Sequence, residues 1–413
     1  MPIPRMAVSV ANFHDYDVSD GAPLPSADEL PRSLLYSIAA DIGGPGLPTT
    51  AAEGLLASNA RGFLGRAVAY SNQQTRVPGA KIRSLKFHPV RLAGSFLDQE
   101  TYYGAKKHYL DWVAAREMKG GGYDCFHGWS GDSLRTLIAA RQRGVPTMIE
   151  IPTWHRNKFR EKNFYTRSER EESETWRTRM HITRQQMLSE YELADLVLVQ
   201  SRCAAESFTS IGYPAERVFM VARGVDPGRF QVATYPSIFR LVFVGALIKR
   251  KGIHHLLKAW HDLRLKNAEL VLVGTVHDEI KPYLDQYKTD SVVLPGFVSD
   301  VREYLQSSSA FVFISECEGS AKATYEAASC GLPQITTRES GDVVVDGLNG
   351  RVIPANDPEA LVEAIREFYD HAEKLPEMGR AARARIEAQF TWEHHRRRLL
   401  HAYAHLMKVG TPS

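Results

Sequence analysis

Two acids, Glu318 and Glu326, stand in an E-x7-E spacing within the run ECEGSAKATYEAASCGLP at residues 316–333. Gly319, Ser320 and Ala321 follow the first acid, and the pattern then predicts a helix over 321–329 that stops at Cys330-Gly331, with Pro333 behind it. The free N–H groups of a helix start carry the positive end of its dipole, and a glycine lets the backbone come close, so the 319–321 amides suit a phosphate. Glu318, just ahead of them, is placed to accept hydroxyls from whatever carries that phosphate. Glu326, two turns further on, is placed to accept from a second polyol such as a ribose. A carboxylate chelating vicinal hydroxyls suits a sugar and not a flat apolar ligand. The plain alternative is that Glu318 complements the helix dipole and Glu326 pairs with Lys322 at i,i+4. A second anion-seeking feature is FVGALIKRKGIHHLLKAW (243–260), where a strand leads through a glycine and Lys249-Arg250-Lys251-Gly252 into an amphipathic helix. Three cations beside a helix N-terminus favour a pyrophosphate. A solvated charged turn is the alternative.

These residues need strands and helices to place them. From residue 123 onward, short apolar runs alternate with helical patterns: VPTMIEI (145–151), ADLVLVQS (194–201), FRLVFVG (239–245), AELVLVG (268–274), SVVLPGF (291–297), AFVFIS (310–315) and PQITT (333–337). Continuous Val/Leu/Ile runs mark strands buried on both faces, and intervening helices imply parallel βαβ units. A doubly wound α/β architecture follows, in which loops at the C-terminal strand ends meet ligands. The polar connector QVATYPS at 231–237 separates two such halves, and residues 391–409 form an amphipathic helix with Trp392, Leu399, Leu400, Tyr403 and Leu406 at helical spacing. Residues 1–122 read as a short strand at 6–10, then a helix in DELPRSLLYSIAADIGG and another in EGLLASNARGFLGRAVAYS. In that second helix Arg61, Phe63, Leu64 and Arg66 would form either a solvated amphipathic face or one that touches a membrane peripherally.

Composition narrows the classes. With 413 residues, 44% hydrophobic and 24% charged, the chain has the material for two or three globular domains. Lys+Arg 51 against Asp+Glu 48 gives a net charge of +3, which argues against a nucleic-acid partner. The four cysteines form no C-x-x-C pair, so thiols are expected, with neither disulfide nor metal. No apolar run reaches the length of a membrane span, and the first residues lack a signal-peptide core, so a cytoplasmic location is expected, with any membrane contact only peripheral to the inner face. No G-x-G-x-x-G follows a strand, which argues against a nicotinamide dehydrogenase.

Taken in order, VGALIKRKG, AELVLVG, LPGFVSDVREYLQSSSAFVFISECEG, the Glu318/Glu326 pair, EAASCGLPQITT and VVDGLNGRVIPANDPEALVEAI resemble the retaining glycosyltransferases of family 4, over residues 123–407. The resemblance implies a GT-B fold: two Rossmann-like domains facing across a cleft, 1–233 for the acceptor and 234–390 for a nucleotide sugar, with 391–413 crossing back onto the first. It implies retaining, metal-independent transfer of a hexosyl group from a UDP- or GDP-sugar to a hydroxyl acceptor, which is a glycan, a lipid-linked saccharide or a small molecule. No further cofactor is implied. Glu318 would hold the transferred sugar, Lys251 and the amides of Gly319, Ser320 and Ala321 the diphosphate, and Glu326 the ribose. The base would lie between 272–276 and 296–298, with Gly245 and Val298 also on the donor side. Attack would be front-face, the leaving phosphate accepting the acceptor's proton.

Two departures stand out. The family commonly has arginine right after the strand glycine, where this chain has Ala246, and Arg250 is the candidate to supply that cation. The family often has a glycine-rich loop after its first strand, whereas SVANFHDYD (9–17) has none. Both leave open a catalytically silent nucleotide-sugar-binding or partner subunit. A GT-B epimerase or phosphorylase is a further rival, the latter needing a lysine-bound pyridoxal phosphate for which no lysine is identified. On the acceptor side YDCFHGWSGDSLRTLIAARQRG (123–144) sets His127 after a short strand. In similar enzymes such a histidine faces the reacting carbon; a structural histidine is the alternative. His14, and Glu150, Trp154 and His155 at the next strand end, are the candidates for acceptor contact, with ordinary loop residues as the alternative.

Overall fold

The computed structural model describes residues 20–94, 96–161 and 180–410. The strand expected at 6–10, the SVANFHDYD segment and His14 lie outside the described residues.

Two parallel sheets organise the chain. The first has seven strands in the order β3-β2-β1-β4-β5-β6-β7: β1 (Leu34–Ile42), β2 (Leu64–Asn72), β3 (Ile82–Ser84), β4 (Cys125–Trp129), β5 (Thr147–Glu150), β6 (Leu196–Val199) and β7 (Val218–Met220). The second runs β10-β9-β8-β11-β12-β13: β8 (Phe239–Val244), β9 (Ala268–Val273), β10 (Val292–Gly296), β11 (Ala310–Phe313), β12 (Gln334–Thr337) and β13 (Gly350–Ile353). Each order reverses once. β1 pairs with both β2 and β4, and β8 with both β9 and β11. Helices leave these neighbouring strands toward opposite faces, opening a crevice at their C-terminal ends where open α/β sheets take ligands.

The strands expected from 145 onward are present, since continuous apolar runs are what two covered faces require. The N-terminal reading needs correction. LLYSIAADI, expected to be helical, is the central strand β1, and LGRAVAYSN is β2, preceded by a helix α1 that spans only Leu47–Ala60. A strand buried on both faces lacks alternation, so its apolar residues fit a helical period equally well. Two consequences follow. Phe63 and Leu64 are buried, so Arg61, Phe63, Leu64 and Arg66 form no amphipathic helical face. The loop after β1 reads Gly43-Gly44-Pro45-Gly46, so a glycine-rich loop does follow a strand at the switch point.

The last helix, Trp392–Val409, packs on α1 of the first sheet. Its Leu399, Leu400, Tyr403 and Leu406 are buried with Leu34, Tyr36, Leu55 and Phe63. The four cysteines are buried thiols. Among the described residues no helix is long and apolar enough to cross a membrane, and no His/Cys/Asp/Glu group has the arrangement to hold a metal ion.

Candidate functional site

The C-terminal half builds its face of the crevice from the ends of β8 and β11. After Val244 the chain turns at Gly245, whose Cα faces the Lys251 ammonium: a Cβ there would stand 2.8 Å from Nζ. Lys249–Lys251 form a single 3-10 turn that ends at Gly252 in the left-handed region, φ 72°. A Cβ on Gly252 would lie 2.6 Å from Ile314 Cγ1 and 2.7 Å from its carbonyl, so only glycine lets the basic turn seat against the end of β11. The Lys251 ammonium sits 5.3 Å from the centroid of the Phe313 ring and makes no ion pair among the described residues. Burial lowers its pKa, while Glu318 raises it and Arg250 lowers it. Lys251 is therefore a half-buried cation whose charge no carboxylate has taken.

Arg250 differs. Its guanidinium pairs with Glu318 Oε1 at 3.0 Å and donates to the Cys317 carbonyl. Glu318 also accepts from Ser315 Oγ at 3.2 Å. The structure thus joins the expected phosphate arginine to the expected sugar carboxylate, and a ligand would have to share or open that pair.

The loop ahead of the helix Lys322–Ser329 offers fewer amides than the sequence suggests. The Ala321 N–H donates to the Ser340 carbonyl at 2.9 Å, which corrects its expected role as a free donor. Gly319 and Ser320 N–H groups have no partner among the described residues. Gly319 faces the other half of the molecule, where a Cβ would come within 2.3 Å of the Pro152 carbonyl. Glu326 is 8% exposed and pairs with Lys322, the contact its i,i+4 spacing allows. Beyond β8, β9 is followed by Gly274, whose N–H donates to the Gly296 carbonyl at 2.9 Å, so the 272–276 and 296–298 segments lie together with Val298 half-buried and Phe297 exposed.

On the N-terminal side the expected residues move. His127 lies in the middle of β4, not after it, and is fully buried. Its Nδ1 is 2.7 Å from Tyr403 Oη on the returning helix and its Nε2 is 3.2 Å from Glu150 Oε1. It is a core histidine joining β4, β5 and the last helix. Trp154 reaches across the cleft, donating from Nε1 to the Glu318 carbonyl at 2.9 Å, which makes it a strut between the halves. His155 is packed against Phe208 with ring centroids 4.7 Å apart, and its Nδ1 accepts the Asn157 N–H at 3.2 Å. Burial pushes its pKa down to about 4 from 6.5.

That shift has a sign. The unfolded chain protonates His155 below pH 6.5 while the folded one resists until about 4, so the contribution is complete above 6.5 and lost as pH falls toward 4. Melting temperature is expected to drop on acidification from about pH 7 to about pH 5, and to drop less in His155→Asn, whose amide oxygen keeps an acceptor for Asn157. An equal drop in both proteins would refute the buried neutral imidazole.

Two features escaped the sequence reading. The residue 43–46 loop was hidden by taking β1 for a helix, although the D-I-G-G-P-G string signals it. Arg223, in the VARGVD loop after β7, is 6% exposed. It donates from Nη2 to the Gly46 carbonyl at 3.2 Å, and among the described residues its Nε has no partner. Burial lowers its pKa, and Tyr325, Glu326 and Glu150 act on it from the surrounding walls.

Comparison with known proteins follows the same division. Residues 238–371 match the family described as glycosyl transferases group 1. The capsular polysaccharide biosynthesis glycosyltransferase CapM of Staphylococcus aureus is 30% identical over 167 residues, 38% of this chain and 44% of the relative. The O-antigen chain mannosyltransferase C of Escherichia coli is 31% identical over 172 residues, 40% of this chain and 45% of the relative. The chain spans about half the length of the curated relatives it matches. Among solved structures, sucrose-phosphate synthase from Thermosynechococcus elongatus superposes with a TM-score of 0.66 at 18% identity, covering 88% of this chain and 96% of that one. Anabaena HepE, solved in complex with UDP and glucose, gives 0.63 at 16% identity, covering 90% and 99%. These likenesses establish the GT-B fold.

Proposed function

We propose, for a GT-B chain whose residues 238–371 match the group 1 glycosyl transferases, that it moves a hexosyl group from a UDP- or GDP-sugar to a hydroxyl acceptor with retention at the anomeric carbon. The observation that carries this reading is the Lys251 ammonium, unpaired among the described residues, over Gly245 at the end of β8, with Glu318 in electrostatic reach and the Gly319 and Ser320 amides at the end of the neighbouring β11. Breaking the sugar C1–O bond builds negative charge on the diphosphate, and preorganised cations and amides at that point are usually the largest catalytic contribution. With such donors in place the leaving phosphate itself takes the acceptor's proton, and neither a protein nucleophile nor a metal ion is needed. Glu318 holds hydroxyls of the transferred sugar while keeping its Arg250 pair, and Glu326 exchanges its Lys322 pair for the ribose. The acceptor is a saccharide, free or lipid-linked, a reading supported by the names of CapM and the O-antigen mannosyltransferase.

A silent nucleotide-sugar-binding subunit is the second reading, favoured by Ala246 and by the Arg250–Glu318 pair. The glycine-rich loop at 43–46 removes its other support. Calorimetric titration of wild type and Glu326→Ala with UDP, GDP, ADP and dTDP and their sugar conjugates tests the donor site. Selective binding that weakens about tenfold or more in the variant is expected, as loss of a charge-assisted hydrogen bond implies. No binding by any nucleotide to folded wild type would remove both readings; binding without turnover on a broad acceptor panel would favour the second.

A further inference from the structure

The crevice has a shortage of positive charge on its C-terminal side. A leaving nucleoside diphosphate carries more negative charge than Lys251 alone offsets, and Arg250 is already bound to Glu318. Lys249 is exposed and lies over Tyr283, 5.1 Å from the ring centroid.

We propose that Arg223, reaching from the N-terminal half, is the second diphosphate-binding cation, a role that rests on the donor-site reading above. Three observations carry it. Arg223 is 94% buried by accessible surface, being 6% exposed, yet makes no ion pair among the described residues. Its only hydrogen bond there is the one from Nη2 to the Gly46 carbonyl, and its buried Nε is an orphan donor. A buried guanidinium left so incompletely satisfied is costly unless a further partner arrives. The 43–46 loop at the first switch point also fixes it from one side, and Tyr325 and Glu326 of the donor-loop helix lie within its electrostatic reach. A planar fork held by one arm can give its remaining N–H groups to phosphate oxygens, which a lysine point charge cannot match. The glycine loop then serves the same site. Its Gly46 carbonyl orients the fork, and with no side chain at 46 the space beside it stays open, a Cβ there meeting nothing within 4 Å. Because the cation comes from one half and Lys251 from the other, the diphosphate would tie the halves together.

The test is calorimetry of wild type, Arg223→Gln and Arg223→Lys with UDP, UMP, GDP and GMP, alongside thermal melts. Arg223→Gln is expected to weaken the preferred diphosphate about tenfold or more and its monophosphate by far less, with Arg223→Lys intermediate. Equal affinity for the diphosphate in Arg223→Gln overturns the inference while leaving the donor site standing. Equal losses for mono- and diphosphate also overturn it, since they mean a loosened pocket, as does an unchanged diphosphate affinity with a raised acceptor KM, which assigns the cation to an anionic acceptor. If Arg223→Gln does not fold, Arg223→Lys must show the same selective loss or the inference falls. Absence of nucleotide binding in wild type removes the donor-site reading and this inference together.

Discussion

Lys251→Ala is expected to lower kcat for sugar transfer by roughly a hundred- to a thousandfold, the loss associated with removing one preorganised donor to a developing oxyanion. The fold should survive, because Lys251 ends a 3-10 turn whose seating depends on Gly252 and Ile314, not on the ammonium. The ammonium lies over Phe313 with no carboxylate partner among the described residues, so its removal leaves no buried charge behind there. Arg250→Ala makes the informative control. It frees Glu318, which then keeps only Ser315 as a side-chain partner among the described residues, and its effect should appear mainly as a weaker hold on the sugar, hence in donor KM. Release of nucleoside diphosphate in the presence of acceptor is the measurement. A Lys251→Ala enzyme within threefold of wild type would end the assignment of this turn to the leaving group.

Leu399→Ala is expected to destabilise the protein by about 3 kcal/mol, within the range measured for buried leucine truncations. Leu399 is fully buried, with its Cδ2 close enough to α1 that a Cβ on Gly54 would come within 3.2 Å of it. It shares a buried cluster with Leu34 and Tyr36 of β1, Leu55 of α1 and Phe63 just ahead of β2, although Leu399 follows the whole second sheet in the chain. The loss should therefore appear in the unfolding of the N-terminal half. Lys408→Ala on the same helix breaks an exposed pair with Glu29 and should cost far less than Leu399→Ala. Urea unfolding of both variants separates these cases, and a Leu399→Ala loss no larger than that of Lys408→Ala would mean that the last helix is not anchored as described.

The C-terminal half was legible in the sequence because its units are local. In FVGALIKRKGIHHLL the strand, the glycines and the three cations are contiguous, and a strand buried on both faces announces itself by an unbroken apolar run. The donor loop read well for the same reason, down to the helix that begins at Lys322. β1 did not, since LLYSIAADI, also covered on both faces, mixes small and polar residues that suit a helix as well. Misplacing that one strand hid the glycine loop after it.

The sequence by itself determined the α/β alternation, the position of the basic turn, the E-x7-E spacing and the amphipathic last helix, each set by patterns within some twenty residues. Only the tertiary structure decided which of those groups are uncommitted. Arg250 meets Glu318, and Ala321 meets Ser340, because loops from neighbouring parallel strands converge at one sheet edge. His127 is turned into the core by a tyrosine 276 residues later, and Arg223 is aimed by a glycine carbonyl 177 residues earlier. Such pairings depend on strand order and helix docking, which place residues that no local pattern links.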